Sequence, residues 1–269
     1  MIQDFINYQA LNKGLSKTTV EGYRKELKQF VIWATPQNLT WSTITDEHMK
    51  DYVAYEQTRG MKPRTIKRRV EVVRLLFSYA IHKGMLKHNP AQYTQTPKIR
   101  EQFRPVADTE TIDRYLATEP TTRQSYIVHL GIALMMDTGM RLNEALNMYG
   151  TDINTDTETI KINGGKGGKD RLVCYGDRFR SYANNIAGID NRPLDITGVQ
   201  FRYMMYNELG NKYIASPHML RHAFACNQLN AGMPLKDLST LMGHKHAATT
   251  EIYAKMSTAR ISETYKKYN

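Results

Sequence analysis

Three prolines constrain this chain more than any other feature. Between Asn89 and Pro105 the sequence carries Pro90, Pro97 and Pro105, and no apolar residue there recurs at helical spacing. Proline removes a backbone donor and biases the residue before it to extended conformation, so no continuous helix can cross this stretch. The 269 residues are therefore expected to form two units, 1–88 and 107–269. Each is long enough to bury its own core. The join, 89–106, reads as a linker made basic by Lys98, Arg100 and Arg104.

The first unit reads as helices. Val20, Tyr23, Leu27, Phe30, Val31 and Ala34 form one helical stripe, with Ser16 or Thr18 as its cap. Thr45 precedes a second stripe (Met49, Tyr52, Val53), and Pro63 suits the first turn of a long helix that closes near Gly84. With a helix near Phe5–Leu11, these make a small four-helix bundle. The second unit is mixed. Tyr126–Met136 is almost wholly apolar and predicts a buried helix stopped at Thr138-Gly139. Glu158–Asn163 alternates Ile160 and Ile162 with polar residues, and Arg171–Tyr175 is β-rich. The glycines between them suggest a hairpin with Lys166 at or near its turn. From Val199 the pattern returns to helix. The fold class is thus mainly α with a small β-sheet.

A formal charge of +11 and an isoelectric point near 9.5 point to a polyanionic partner, most often nucleic acid. Residues 1–95 carry 15 Lys+Arg against 8 Asp+Glu, a net of +7, so most of the charge lies in the first third. Its densest part, Arg59–Arg74, offers Arg59, Lys62, Arg64, Lys67, Arg68, Arg69 and Arg74 against Glu71 alone. That segment and the linker cations are the expected DNA-backbone contacts. Cys174 and Cys226 have neither metal nor disulfide spacing, which suits a reducing cytoplasm, and either thiol reads as a small buried hydrophobe. No basic segment leads an apolar signal at the N-terminus, and no run of eighteen apolar residues exists. The expected setting is cytoplasmic and nucleoid-associated, without a membrane.

Chemistry concentrates in the second unit. Thr-Gly-Met-Arg-Leu-Asn-Glu (138–144) supplies Arg141 and Glu144, and Gly-Gly-Lys-Gly-Gly-Lys-Asp-Arg (164–171) supplies Lys166 or Lys169. Ser-Pro-His-Met-Leu-Arg-His (216–222) supplies His218 and Arg221. Leu-Met-Gly-His (241–244) ends in His244, and Thr-Thr-Glu-Ile-Tyr (249–253) ends in Tyr253. Attack on a phosphodiester loads extra negative charge onto two non-bridging oxygens, which forked guanidinium groups stabilise well. Arg141 should start a helix after the Thr-Gly turn. Arg221 lies one helical turn after His218, so both project from one face. A tyrosine hydroxyl, with a pKa of about 10, needs a base and nearby positive charge to act as a nucleophile. His218 can be that base, and Glu144 a structural partner of the arginines. The sequence carries no phosphate-binding loop, acidic cluster or zinc spacing, so neither cofactor nor metal is expected.

In order, spacing and flanking residues these motifs resemble those of the tyrosine recombinase (phage integrase) family. The resemblance implies an N-terminal helical core-binding (SAM-like) domain, an α+β catalytic domain, and DNA strand exchange through a 3′-phosphotyrosyl intermediate. It selects Tyr253 as the nucleophile over Tyr265 and Tyr268, and Lys166 over Lys169 as the acid for the leaving 5′ oxygen. Arg141, His218, Arg221 and His244 complete the set. Ala223 departs from the threonine or serine that often follows Arg-His. The chain starts at the core-binding helices and so resembles Xer-like members that lack an arm-binding domain. The implied partners are double-stranded DNA with inverted-repeat core sites and three further copies of the chain, in a tetramer on two sites. Residues 257–269 would be the exchange helix, and accessory DNA-bending or directionality factors are admitted. Two other classes share the fold: a DNA-binding regulator without strand exchange, whose site would have decayed, and a monomeric relaxing enzyme of the type IB topoisomerase kind, which needs no exchange tail.

Overall fold

A computed structural model of the chain describes residues 1–99, 106–164, 170–210 and 215–243. It divides into two compact units, Met1–Gln102 and Phe103–Asn269. The architecture is mainly helical with one small sheet.

The first unit is built from α1 (Ile2–Leu11), α2 (Lys17–Ala34), α3 (Asp46–Thr58) and α4 (Pro63–His82). Their starts follow local chemistry. Ser16 Oγ accepts from the Thr19 amide, and Pro63 occupies the first turn of α4. At α3, Thr45 accepts from the His48 amide while His48 Nδ1 accepts from the Thr45 amide, a reciprocal cap closed by histidine instead of the usual glutamate. The apolar stripes meet around Phe30, whose ring lies edge-on to Tyr52 (4.8 Å) and Phe77 (6.5 Å). Leu27, Met49, Val73 and Leu76 fill the space between them.

Two of the expected DNA contacts are turned to other uses. Arg69 is buried. Its Nη1 donates to Glu56 Oε2 at 2.6 Å and its Nε to Glu26 Oε2 at 3.2 Å. It lies on the same face of α4 as Ile66, Val70 and Val73, so helical periodicity carries it into the interior, where two glutamates neutralise it. Burial beside Glu56 pushes the Tyr52 hydroxyl well above the ordinary tyrosine range. Arg74 is half-buried and donates to the carbonyls of Ala91 (2.8 Å) and Thr94 (3.1 Å), while Asn89 Nδ2 donates back to the Arg74 carbonyl. Residues 89–94, the first part of the expected linker, are thereby fastened to α4, with Ala91 fully buried. Of the expected DNA contacts, Arg59, Lys62, Arg64, Lys67, Arg68 and Lys98 are exposed. Arg59, Lys67 and Arg68 pair with Glu56, Glu71 and Glu26. Arg100 and Arg104 lie outside the described residues.

The second unit comprises α5 (Thr109–Leu116), α6 (Arg123–Thr138), α7 (Leu142–Leu146), α8 (Asp177–Ile186), α9 (Gly198–Glu208), α10 (Pro217–Asn230) and α11 (Leu235–Leu241). Helix α6 is its axis, buried almost throughout and packed by α8, α9 and α10. Asp137, near the end of α6, accepts from the amides of Gly176 and Phe179 and so caps the start of α8. The expected hairpin is present as β2 (Thr159–Ile162) and β3 (Arg171–Cys174), antiparallel with Ile160 opposite Val173 and Ile162 opposite Arg171. A two-residue strand β1 (Ile153–Asn154) extends it to a sheet of order β1-β2-β3. Cys226 is buried as expected, but Cys174 is exposed. Alternation along β3 turns Val173 inward and Cys174 outward. Among the described residues no helix is long and apolar enough to cross a membrane.

Candidate active site

The site begins where α6 stops. Gly139 adopts φ 62°, a left-handed conformation, and its amide bonds the Met135 carbonyl at 3.1 Å. A Cβ on Gly139 would lie 2.2 Å from the Phe224 ring, so both backbone and packing require glycine there. The turn delivers Arg141 to the cap position of α7. Its amide donates to Glu144 Oε2 (2.7 Å), its Nη1 to Glu144 Oε1 (2.9 Å) and its Nη2 to the Gly243 carbonyl (3.4 Å). The amide at this helix start thus already has a carboxylate, and the Arg141 side chain is the cation on offer.

Helix α10 starts as the sequence leads one to expect. Ser216 Oγ accepts from the Met219 amide, and Pro217 is the first helical residue. His218 is exposed in the first turn. One turn on, Arg221 is buried, donating to the Gly139 carbonyl through Nη1 and to the Met242 carbonyl at 2.6 Å through Nη2.

A third arginine, absent from the expected set, completes the frame. Arg171 donates through Nε to the Leu241 carbonyl (2.9 Å) and through Nη1 and Nη2 to the two oxygens of Glu144 (3.0 and 2.9 Å). Three successive carbonyls, Leu241, Met242 and Gly243, are therefore each held by a different arginine. They end α11, where unsatisfied carbonyls carry the negative end of the helix dipole. Burial alone would push the Glu144 carboxyl upward. The hydrogen bonds from Arg171 and the Arg141 amide outweigh it and hold the pKa at about 2. One sequence signal could have found Arg171. The two-residue period of β3 places it on the same face as the buried Val173, opposite buried Ile162, and an inward-facing arginine needs an internal partner.

The structure thus gathers Arg141, Glu144 and Arg221 around the end of α11. A cleft of about 460 Å³ opens beside Arg141, lined by Asn143, Asn147, Lys161 and Asn163. Lys166, His244 and Tyr253 lie outside the described residues, as do Lys169 and the 257–269 segment. Gly243, φ 60°, directly precedes His244.

Residues 106–260 match the family model described as phage integrase family, and residues 2–84 match the phage integrase N-terminal SAM-like domain. The chain belongs to the phage integrase family. Its curated relatives include the tyrosine recombinase XerD of Listeria innocua, 25% identical over 100% of this chain and 98% of the relative. The tyrosine recombinase XerC of Leptospira interrogans is 26% identical over 98% and 91%. Among solved structures, the Tn1549 transposon integrase in complex with transposon right end DNA superposes with a TM-score of 0.75 at 17% identity, covering 100% of this chain and 99% of that one. A lambda integrase dimer bound to a COC′ core site gives 0.72 at 17% identity, covering 96% and 76%. These two likenesses concern the fold. The activity is that of a tyrosine-type site-specific recombinase.

Proposed function

We propose that the family member described here cleaves and rejoins double-stranded DNA through a covalent bond to Tyr253. The Tyr253 hydroxyl oxygen attacks the scissile phosphorus and gives its proton to His218. The bond from phosphorus to the 5′ oxygen breaks, and that oxygen takes a proton from Lys166. A 3′-phosphotyrosine remains, and attack by the 5′ hydroxyl of a partner strand reverses the step, so the energy of the broken bond is retained. Arg141, Arg221 and His244 bind the non-bridging oxygens, whose charge rises in the transition state.

The observation that carries this reading is the convergence of Arg141 and Arg221 on adjacent carbonyls immediately before His244. Residues far apart in sequence, from the turns after α6 and into α10, are brought to one point on rigid elements. A charge cluster serving only the fold would not need to leave the Arg141 guanidinium beside an open cleft. The decayed site expected of a regulator without strand exchange is not apparent in the sequence, since all six positions are filled.

The helical unit, with its exposed cations on α4, is proposed as the core-binding domain and residues 107–269 as the catalytic domain. DNA with inverted-repeat core sites would be gripped by both. Assembly would be a tetramer on two sites, with the 257–269 tail docking on a neighbour. A protein lacking 258–269 that still exchanged strands would rule out that role for the tail and revive a monomeric relaxing enzyme. The decisive experiment for the chemistry uses a nicked suicide substrate. Wild type should become trapped on it covalently, and Tyr253→Phe should bind the same DNA without crosslinking. A crosslink formed by Tyr253→Phe but lost in Tyr265→Phe would move the nucleophile.

A further inference from the structure

We infer that Arg171 is a positioning residue of the cleavage site, setting the direction of the Arg141 guanidinium and holding the end of α11. The inference rests on the reading above, in which Arg141, Arg221 and His244 meet the scissile phosphate. Arg171 stands at the start of β3, yet its guanidinium spans two other elements. It forks onto Glu144 of α7 and reaches the Leu241 carbonyl at the end of α11, 27 and 70 positions away in sequence. Both members of the pair are enclosed, with 13% of the Arg171 side chain and 9% of that of Glu144 exposed.

Glu144 is shared. It takes the Arg141 amide and Nη1 on one side and the Arg171 fork on the other. Without Arg171, a buried carboxylate would be left with Arg141 as its one cationic partner among the described residues, and attraction in a low-dielectric setting would draw that guanidinium further onto it. The phosphate would then face a cation turned away from it. At α11, the Arg171 guanidinium flanks Gly243, 3.1 Å from where a Cβ would stand. It fills the space beside the Gly243 turn that follows α11. Lysine cannot replace this arrangement. It brings the charge but not the planar fork that engages Glu144 and the Leu241 carbonyl together.

The test is single-turnover cleavage of the suicide substrate by Arg171→Lys and Arg171→Ala. Arg171→Lys should recover most of the thermal stability that Arg171→Ala loses, because it still neutralises Glu144, yet remain slower than wild type by about 10- to 100-fold, as misplaced groups do. DNA affinity should stay within about twofold, the guanidinium being turned inward to protein partners. A bridging 5′ phosphorothiolate, whose leaving group needs no proton, should not restore the rate, since the contacts of Arg171 lead to phosphate-binding groups. Paired with Glu144→Gln, the two rate losses should combine to less than their product, because both act on one network. A wild-type rate in a well-folded Arg171→Lys, or full restoration by the phosphorothiolate, would overturn the assignment. Arg141→Ala in the same assay separates the two layers. If it too cleaves normally, the phosphate-site reading fails. If it is slow while Arg171→Lys is fast, the role of Arg171 alone fails.

Discussion

Arg141 and Arg221 hold neighbouring carbonyls, those of Gly243 and Met242, from different degrees of burial. Arg141 keeps 27% of its side chain exposed beside the cleft, whereas Arg221 is enclosed between the ends of α6 and α11. One arginine is mounted on the site, and the other also stitches the fold around it.

That difference should separate their variants. Arg141→Ala should slow cleavage on the order of 100-fold or more with little change in melting temperature. Arg221→Ala should slow cleavage similarly and also destabilise the unit by about 2–4 kcal/mol, since it leaves two buried carbonyls without donors. Arg221→Lys should regain little, having no fork. Thermal melts beside single-turnover rates decide it. Equal stability in both alanine variants would mean that the carbonyl contacts of Arg221 contribute nothing net.

Glu144 gives a pH dependence with a definite sign. Its folded pKa of about 2 lies below the ordinary 4.5, so its contribution is fully present above pH 4.5 and is lost as pH falls through 2. The gap of roughly two and a half pH units corresponds to something on the order of 3 kcal/mol. Glu144→Gln should therefore lower stability at neutral pH, and the difference from wild type should shrink steadily between pH 5 and pH 2. Denaturant titrations across that range measure it. A constant difference would assign the loss to packing.

Much of this arrangement was legible in the chain, because local rules governed it. The Ser216-Pro217 start of α10, the Gly139 stop of α6 and the two-strand hairpin each depend on a few adjacent residues. What escaped were pairings made in three dimensions. In sequence Arg69 is indistinguishable from its exposed neighbours, because a run of charge hides the position in a turn that faces inward. Arg74 looked like a DNA contact until residues 89–94 folded back to take its donors. The partners of Arg171, Glu144 and Leu241, lie on elements that sequence spacing does not connect.

Lys166 and Lys169 can be separated by chemistry. The proposed acid should be dispensable when the leaving group is a thiolate. Lys166→Ala should cleave an ordinary strand slowly and a bridging 5′ phosphorothiolate strand at near wild-type rate, while Arg141→Ala stays slow on both. Lys169→Ala should cleave both well. Rescue of Lys169→Ala instead would exchange their roles, and equal defects of Lys166→Ala on both strands would remove the acid function from it.

The cations of α4 divide into those that point to solvent and two, Arg69 and Arg74, that are held by protein partners. Each phosphate contact steepens the fall of log affinity with log salt by about 0.9. Replacing Arg64, Lys67 and Arg68 by alanine should weaken binding to every sequence and flatten that slope by about 2, allowing for the pairing of Lys67 with Glu71 and of Arg68 with Glu26. Arg69→Met should act differently. It leaves Glu56, fully buried, without its 2.6 Å partner, and breaking such a pair costs about 3–5 kcal/mol. At temperatures where the helical unit stays folded, its salt slope should match wild type. Binding titrations from 50 to 300 mM salt, run with thermal melts, distinguish the two behaviours. A slope unchanged in the triple variant would mean that this face meets solvent in the complex, and a flattened slope in a stable Arg69→Met would return that residue to the DNA.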